Sequence, residues 1–121
     1  MNQEIKQKWI DALLSGKYKQ GRGLLRQNDD EYCCLGVLCD LHAQETGGEW
    51  ALDLMDGTYM YDRSRTCLPP DVARWAGIAV NEYTVRVEIE GRGSSLTVLN
   101  DRSPPLDSSF EYIASIIEAQ L

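Results

Sequence analysis

The stretch "EYTVRVEIE", residues 82 to 90, alternates apolar and polar side chains without a break. Successive strand side chains point to opposite faces, so Tyr83, Val85, Val87 and Ile89 are expected to face a core, and Thr84, Arg86, Glu88 and Glu90 to face water. A strand that is wet on one side belongs in an antiparallel sheet with a single covered face. "GRGSS" reads as the turn into a partner strand, "LTVL".

Other elements must cover the dry face, and helical periods supply them. In residues 2 to 15, Ile5, Trp9, Ala12 and Leu13 recur at helical spacing, with Ser15-Gly16 as the stop. From Cys34 to about Glu45, Leu35, Leu38, Cys39, Leu41 and His42 form a broad stripe that ends at Gly47-Gly48. "CLPPDVARWAGI" predicts a short helix whose first turn is pre-set by Pro69 and Pro70 and which Gly77 closes. The last helix starts at Ser108, with Glu111 three residues on as a capping box, and carries Phe110, Ile113, Ala114, Ile117 and Leu121 on one face.

"WALDLMDGTYMYD" predicts a hairpin with a two-residue turn at Asp56-Gly57. "KYKQGRGLLRQ", the turn "NDD" and "EYC" predict a short hairpin or an irregular β excursion. The expected fold class is α+β: a small antiparallel sheet of about two hairpins packed with about four helices, in one domain over residues 1–121.

A chain of 121 residues with 43% apolar content can bury one core unaided. No window reaches the roughly 18 apolar residues of a membrane span, and "MNQEIKQKW" lacks a signal peptide's apolar stretch, so a cytosolic protein is expected. Thiols stay reduced there, which argues against disulfides among Cys33, Cys34, Cys39 and Cys67.

The net charge of -7 hides a split. Residues 1 to 26 hold six cations (Lys6, Lys8, Lys17, Lys19, Arg22, Arg26) against Glu4 and Asp11, while the rest holds six against seventeen carboxylates. An acidic body repels duplex nucleic acid but leaves room for a local anion site.

"EYCCLGVLCDLHAQ" places three cysteines and the only histidine in fourteen residues. A zinc knuckle needs a turn between its thiolates, whereas Cys34 and Cys39 are separated by apolar "LGVL". A cysteine nucleophile would gain from the helix N-terminus at Cys33 and Cys34, where the macrodipole lowers a thiol pKa. His42, however, lies about 12 to 13 Å further along the same helix, beyond hydrogen-bonding range. A buried apolar segment, with Gly36 permitting close approach, explains the pattern most simply. No metal, cofactor or catalytic residue is assigned.

Two polar loops remain. Gly16, Gly21 and Gly23 flank Lys17, Lys19, Arg22 and Arg26 in a pattern that fails as a nucleotide-hydrolase loop but suits an anion cradle. "VLNDRSPPLDSSF" adds Asn100, Asp101 and Arg102 between a strand and the last helix.

"W-x3-L-x-S-G-x-Y-x-Q-G" from Trp9 to Gly21, "YCCLGVLCDL", "LPPDVARWAGI" and "LND" followed by "FEYIASIIEAQ" together resemble a small protein family of tailed-phage and prophage genomes. That family has no established activity, so the resemblance carries over no catalytic residue. It implies an accessory gene expressed in the host bacterial cytosol, with counter-defence as one such role.

The favoured expectation is a non-enzymatic binding protein, with homo-oligomer formation open. It would capture a small anionic ligand such as a signalling nucleotide through Lys17, Lys19, Arg22, Arg26, Asn100, Asp101 and Arg102. The alternatives are a protein–protein inhibitor of a host factor, using the acidic surface or Trp50, Tyr59 and Tyr61 on the hairpin, and a cysteine-dependent enzyme.

Overall fold

Asn2 opens the first helix by accepting the Ile5 N–H on its side-chain oxygen at 3.0 Å. In the computed structural model, which describes residues 1–81 and 83–121, helix α1 runs Gln3–Leu14 and buries Ile5, Trp9, Ile10 and Leu13. At the other terminus a helix over Phe110–Gln120 buries Phe110, Ile113, Ala114 and Ile117 and packs on α1. Its cap is Ser109, which accepts the Tyr112 N–H at 3.1 Å, one residue later than the expected Ser108. Ser108 is instead drawn into the protein, where its Oγ accepts from Arg22.

Strands β1 (Lys19–Gln20) and β2 (Glu31–Tyr32) pair in parallel over two residues, and Arg26 adds an isolated antiparallel bridge to Tyr32. This is the irregular excursion rather than a hairpin. Helix α2 (Cys34–Thr46) ends on Gly47 at φ +79°, a left-handed cap that suits glycine. Strands β3 (Trp50–Leu52) and β4 (Tyr59–Tyr61) are antiparallel, helix α3 (Pro70–Ala76) follows, and β5 (Arg86–Ile89) pairs antiparallel with β6 (Arg92–Ser95). Helix α4 (Leu96–Asp101) precedes α5, the Phe110–Gln120 helix.

Among the described residues the architecture is thus α+β, with five helices and three two-stranded sheets. Helix α4, additional to the four expected, corrects the strand expected at "LTVL". Ser95 sits as its N-cap and accepts the Val98 N–H at 3.2 Å, and Leu96 and Leu99, three apart, are both fully buried.

Two turns also differ from expectation. The two-residue turn lies at Glu90-Gly91, where φ values of +54° and +80° link the paired residues Ile89 and Arg92. At the other hairpin Asp53 N–H donates to the Thr58 carbonyl at 2.8 Å, so the link spans Leu54 to Gly57, four residues rather than two.

In the alternating segment, Val85, Val87 and Ile89 are buried as expected, but the strand starts only at Arg86. Tyr83 is 77% exposed at φ +66°, outside the strand, and Glu82 lies outside the described residues.

The core centres on α2. Every residue from Cys34 to Cys39 is buried, and α1, α3 and α4 pack around the helix. Such an all-round apolar turn must be enclosed on every side. Trp9 closes one side by donating its indole N–H to the Cys34 carbonyl at 2.9 Å. Gly36 closes another, because a Cβ there would lie 1.8 Å from the Leu25 carbonyl oxygen. No helix among the described residues is long and apolar enough to cross a membrane.

Candidate functional site

The two loops singled out in the sequence do meet, and they bind each other. Asn100 is fully buried, and all four of its hydrogen-bonding positions are filled. Its Oδ1 accepts from Gln20 Nε2 at 3.0 Å and from the Cys34 N–H at 3.1 Å. Its Nδ2 donates to the Gly21 carbonyl and to Asp101, both at 2.9 Å. Asp101 also accepts the Gly23 N–H at 3.0 Å, and Arg22 donates to Ser108 Oγ at 2.8 Å. Glycine N–H groups that would cradle an anion are therefore partly spent on a carboxylate of the same chain.

Arg102 stands apart from this latch. Its side chain is 13% exposed, donates to the Asp107 carbonyl at 2.7 Å and pairs with Glu90 at 3.1 Å. Arg26 lies elsewhere again, its guanidinium 4.0, 4.9 and 5.4 Å from the ring centres of Tyr59, Tyr32 and Trp50. It donates to the carbonyls of Asn28 and Asp29, both at 3.1 Å. Lys17 borders a cavity of about 240 Å³ with Asp11, Tyr18 and Gln44, and exposed Lys19 sits in β1 opposite Glu31. Of the seven residues only Arg22, Asn100 and Asp101 therefore share the latch, and the other four lie elsewhere.

The cysteine segment is enclosed rather than poised for attack. Burial pushes the Cys33 thiol up to about 11, against a smaller lowering by N–H groups such as that of Gly36. Burial also raises Cys34 and Cys39 well above the ordinary thiol value. The helix N-terminus therefore fails to produce a thiolate, because desolvation outweighs it. Among the described residues the four cysteines are free thiols, and no group of His, Cys, Asp and Glu is placed to hold a metal ion. His42 Nδ1 instead lies 2.6 Å from the Tyr61 hydroxyl.

The aromatic residues proposed as anchors face inward. Tyr61 is 2% exposed, and Trp50 and Tyr59 are half-buried around Arg26. The exposed apolar groups are one step further along, at the tip of the β3–β4 hairpin. Leu54 is 88% exposed and Met55 95%, the two highest values of any large apolar residue described.

The loop under them is fixed by its own polar groups. Arg65 pairs with Asp53 at 2.6 Å and donates to Thr58 Oγ1 at 3.0 Å. Asp53 accepts the Met55 N–H at 2.8 Å, and Asp56 accepts both the N–H and the hydroxyl of Thr58. The Arg65 hydrogen bond holds the Asp53 carboxyl below its ordinary range, and Thr58 does the same for Asp56. The tip is thus an ordered platform carrying two bare side chains.

A profile of the family described as Domain of unknown function (DUF8296) matches residues 1–121. The chain belongs to that family. Comparison with curated proteins and with solved structures gives no match. The candidate site of this DUF8296 chain is therefore defined by its own residues. Leu54 and Met55 were missed in the sequence because an apolar pair beside Asp56-Gly57 was read as strand. The signal was present: two large apolar residues between Asp53 and Asp56 sit where a hairpin link, not a core face, must lie.

Proposed function

We propose that this protein is a non-catalytic accessory protein that docks onto a partner protein through the loop between β3 and β4. In the phage or prophage setting implied by the sequence resemblance, that activity is inhibition of a host factor. The observation that carries the reading is the exposure of Leu54 and Met55 on a loop clamped by Arg65. Adjacent bare apolar groups on an ordered protrusion mark an interaction site, since their partner surface gains by burying them and the loop loses little entropy on docking.

Capture of a small anion has less support. It would draw mainly on Lys17 and Lys19, because Arg22, Arg26 and Arg102 are engaged by neighbours and Asn100 has no free position. Cysteine catalysis also has less support, because burial raises the thiols of Cys33, Cys34 and Cys39 and so opposes the thiolate.

Pull-down from bacterial lysate tests the docking reading, using the wild type, a Leu54→Ala/Met55→Ala variant and a Leu14→Ala/Val98→Ala control at exposed sites elsewhere. A stoichiometric protein held by the wild type and the control but lost from the tip variant is expected. Equal capture by all three, or a nucleotide as the retained species, contradicts it.

A further inference from the structure

The ground around the hairpin tip is acidic, and it is built to stay in place. Asn28 Oδ1 accepts the N–H groups of Asp30 and Glu31 at 2.9 and 3.0 Å, and its Nδ2 donates to Glu31 at 2.8 Å. The Tyr59 hydroxyl, beside the loop, donates to the Asp29 carboxylate, which raises the Tyr59 pKa. Arg26 draws the same turn down from the other side through the carbonyls of Asn28 and Asp29. The acidic turn is therefore fastened to the strand that leaves the tip.

The cations nearby do not cancel this charge outward. Arg26 is covered by Tyr59, Tyr32 and Trp50, and Arg65 is committed to Asp53 at the foot of the loop. Lys19 faces Glu31 across the β1–β2 pair, and exposed Arg63 lies beyond the far end of β4 from the tip. Asp30 is exposed, and among the described residues its carboxylate has no hydrogen-bonding or ion-pair partner. A fixed negative turn thus lies against the first residue of the strand that leaves the apolar tip.

Resting on the docking reading above, we infer that the partner presents an apolar pocket rimmed by arginine or lysine: the pocket takes Leu54 and Met55, and the rim faces Asp30 and its neighbours. Charge decides between occupants. A second copy of this chain, net charge -7, is repelled at long range despite the cations of its residues 1–26, and an anionic bilayer surface repels the acidic turn. A basic-rimmed protein surface is attracted, and such rim charges act mainly on the rate of association, where salt screens them.

The test places a diazirine analogue of methionine at Met55 in the full chain, irradiates it in bacterial lysate, and sequences the cross-linked peptides. Expected are adducts to one protein at apolar residues flanked by arginine or lysine, with a yield that falls several-fold between about 0.05 M and about 0.5 M salt. Asp30→Lys, an exposed change, should lower the low-salt yield several-fold as well. Adducts to a protein with an uncharged or acidic rim, or a yield indifferent to salt and to Asp30→Lys, overturn the inference while leaving docking intact. Adducts only to lipid or to a second copy overturn both.

Discussion

Asn100 Oδ1 accepts the backbone N–H of Cys34 at 3.1 Å, so a residue at the end of α4 satisfies the first free donor of α2 across 66 positions. The same carboxamide holds the Gly21 carbonyl at 2.9 Å. Replacing it strands buried polar groups on two elements at once. Asn100→Ala is expected to lower stability by about 2 to 4 kcal/mol, read from the urea midpoint. Asn100→Asp should also destabilise, because a carboxylate cannot donate to Gly21. An unchanged midpoint for both would show that the latch does not hold the loops.

Gly36 makes a sharper demand. A methyl group there meets backbone at 1.8 Å, and the Leu25 carbonyl is itself the acceptor for the Cys33 N–H at 3.1 Å. Gly36→Ala should therefore cost about 3 kcal/mol or more, or prevent folding. Gly16→Ala, where no atom lies within 4 Å and only the φ of +79° is strained, should cost about 1 kcal/mol. Thermal melts of the pair separate steric exclusion from backbone preference.

Thiol accessibility gives an independent check on the enclosed segment. Titration with an aromatic disulfide reagent near neutral pH should modify Cys67, which is only partly buried, well before Cys33, Cys34 and Cys39. Those three should react at the rate of unfolding, faster in urea. A second fast thiol in the native protein would revive cysteine chemistry.

His42 predicts a pH dependence. Burial lowers its pKa below 6.5, although Asp71, Asp62 and Glu45 pull the other way. The unfolded chain therefore binds a proton before the folded one does. Its contribution is full above about pH 6.5 and is lost as pH falls through that value towards the lower folded pKa. Melting temperature should fall between about pH 7 and pH 5, less so in His42→Gln. A parallel decline in both proteins would place the effect on the carboxylates.

Much of the fold was legible because burial imposes period. Ile5, Trp9 and Leu13 in α1, and Phe110, Ile113 and Ile117 in α5, could be placed from spacing alone. "LTVL" was ambiguous, since four residues fit either period. What decides it is the cap at Ser95 and the need to bury Leu96 and Leu99 on one side. The candidate site was less legible. That Asn100 is consumed by Gly21 and Cys34, and Arg26 by three aromatic rings, depends on contacts between distant segments that no local pattern encodes. The bareness of Leu54 and Met55 had a local signal in the flanking Asp53 and Asp56, but it is decided by a four-residue link replacing a two-residue one.

The most direct measurement is the affinity of the isolated partner for Leu54→Ala and Met55→Ala, each titrated separately beside Val98→Ala. If the tip anchors the complex, each tip variant should weaken binding by about 30-fold, the scale of a hot-spot residue, with Val98→Ala near wild type. Urea midpoints should stay unchanged, since both side chains are exposed. Wild-type affinity in both tip variants would contradict the account.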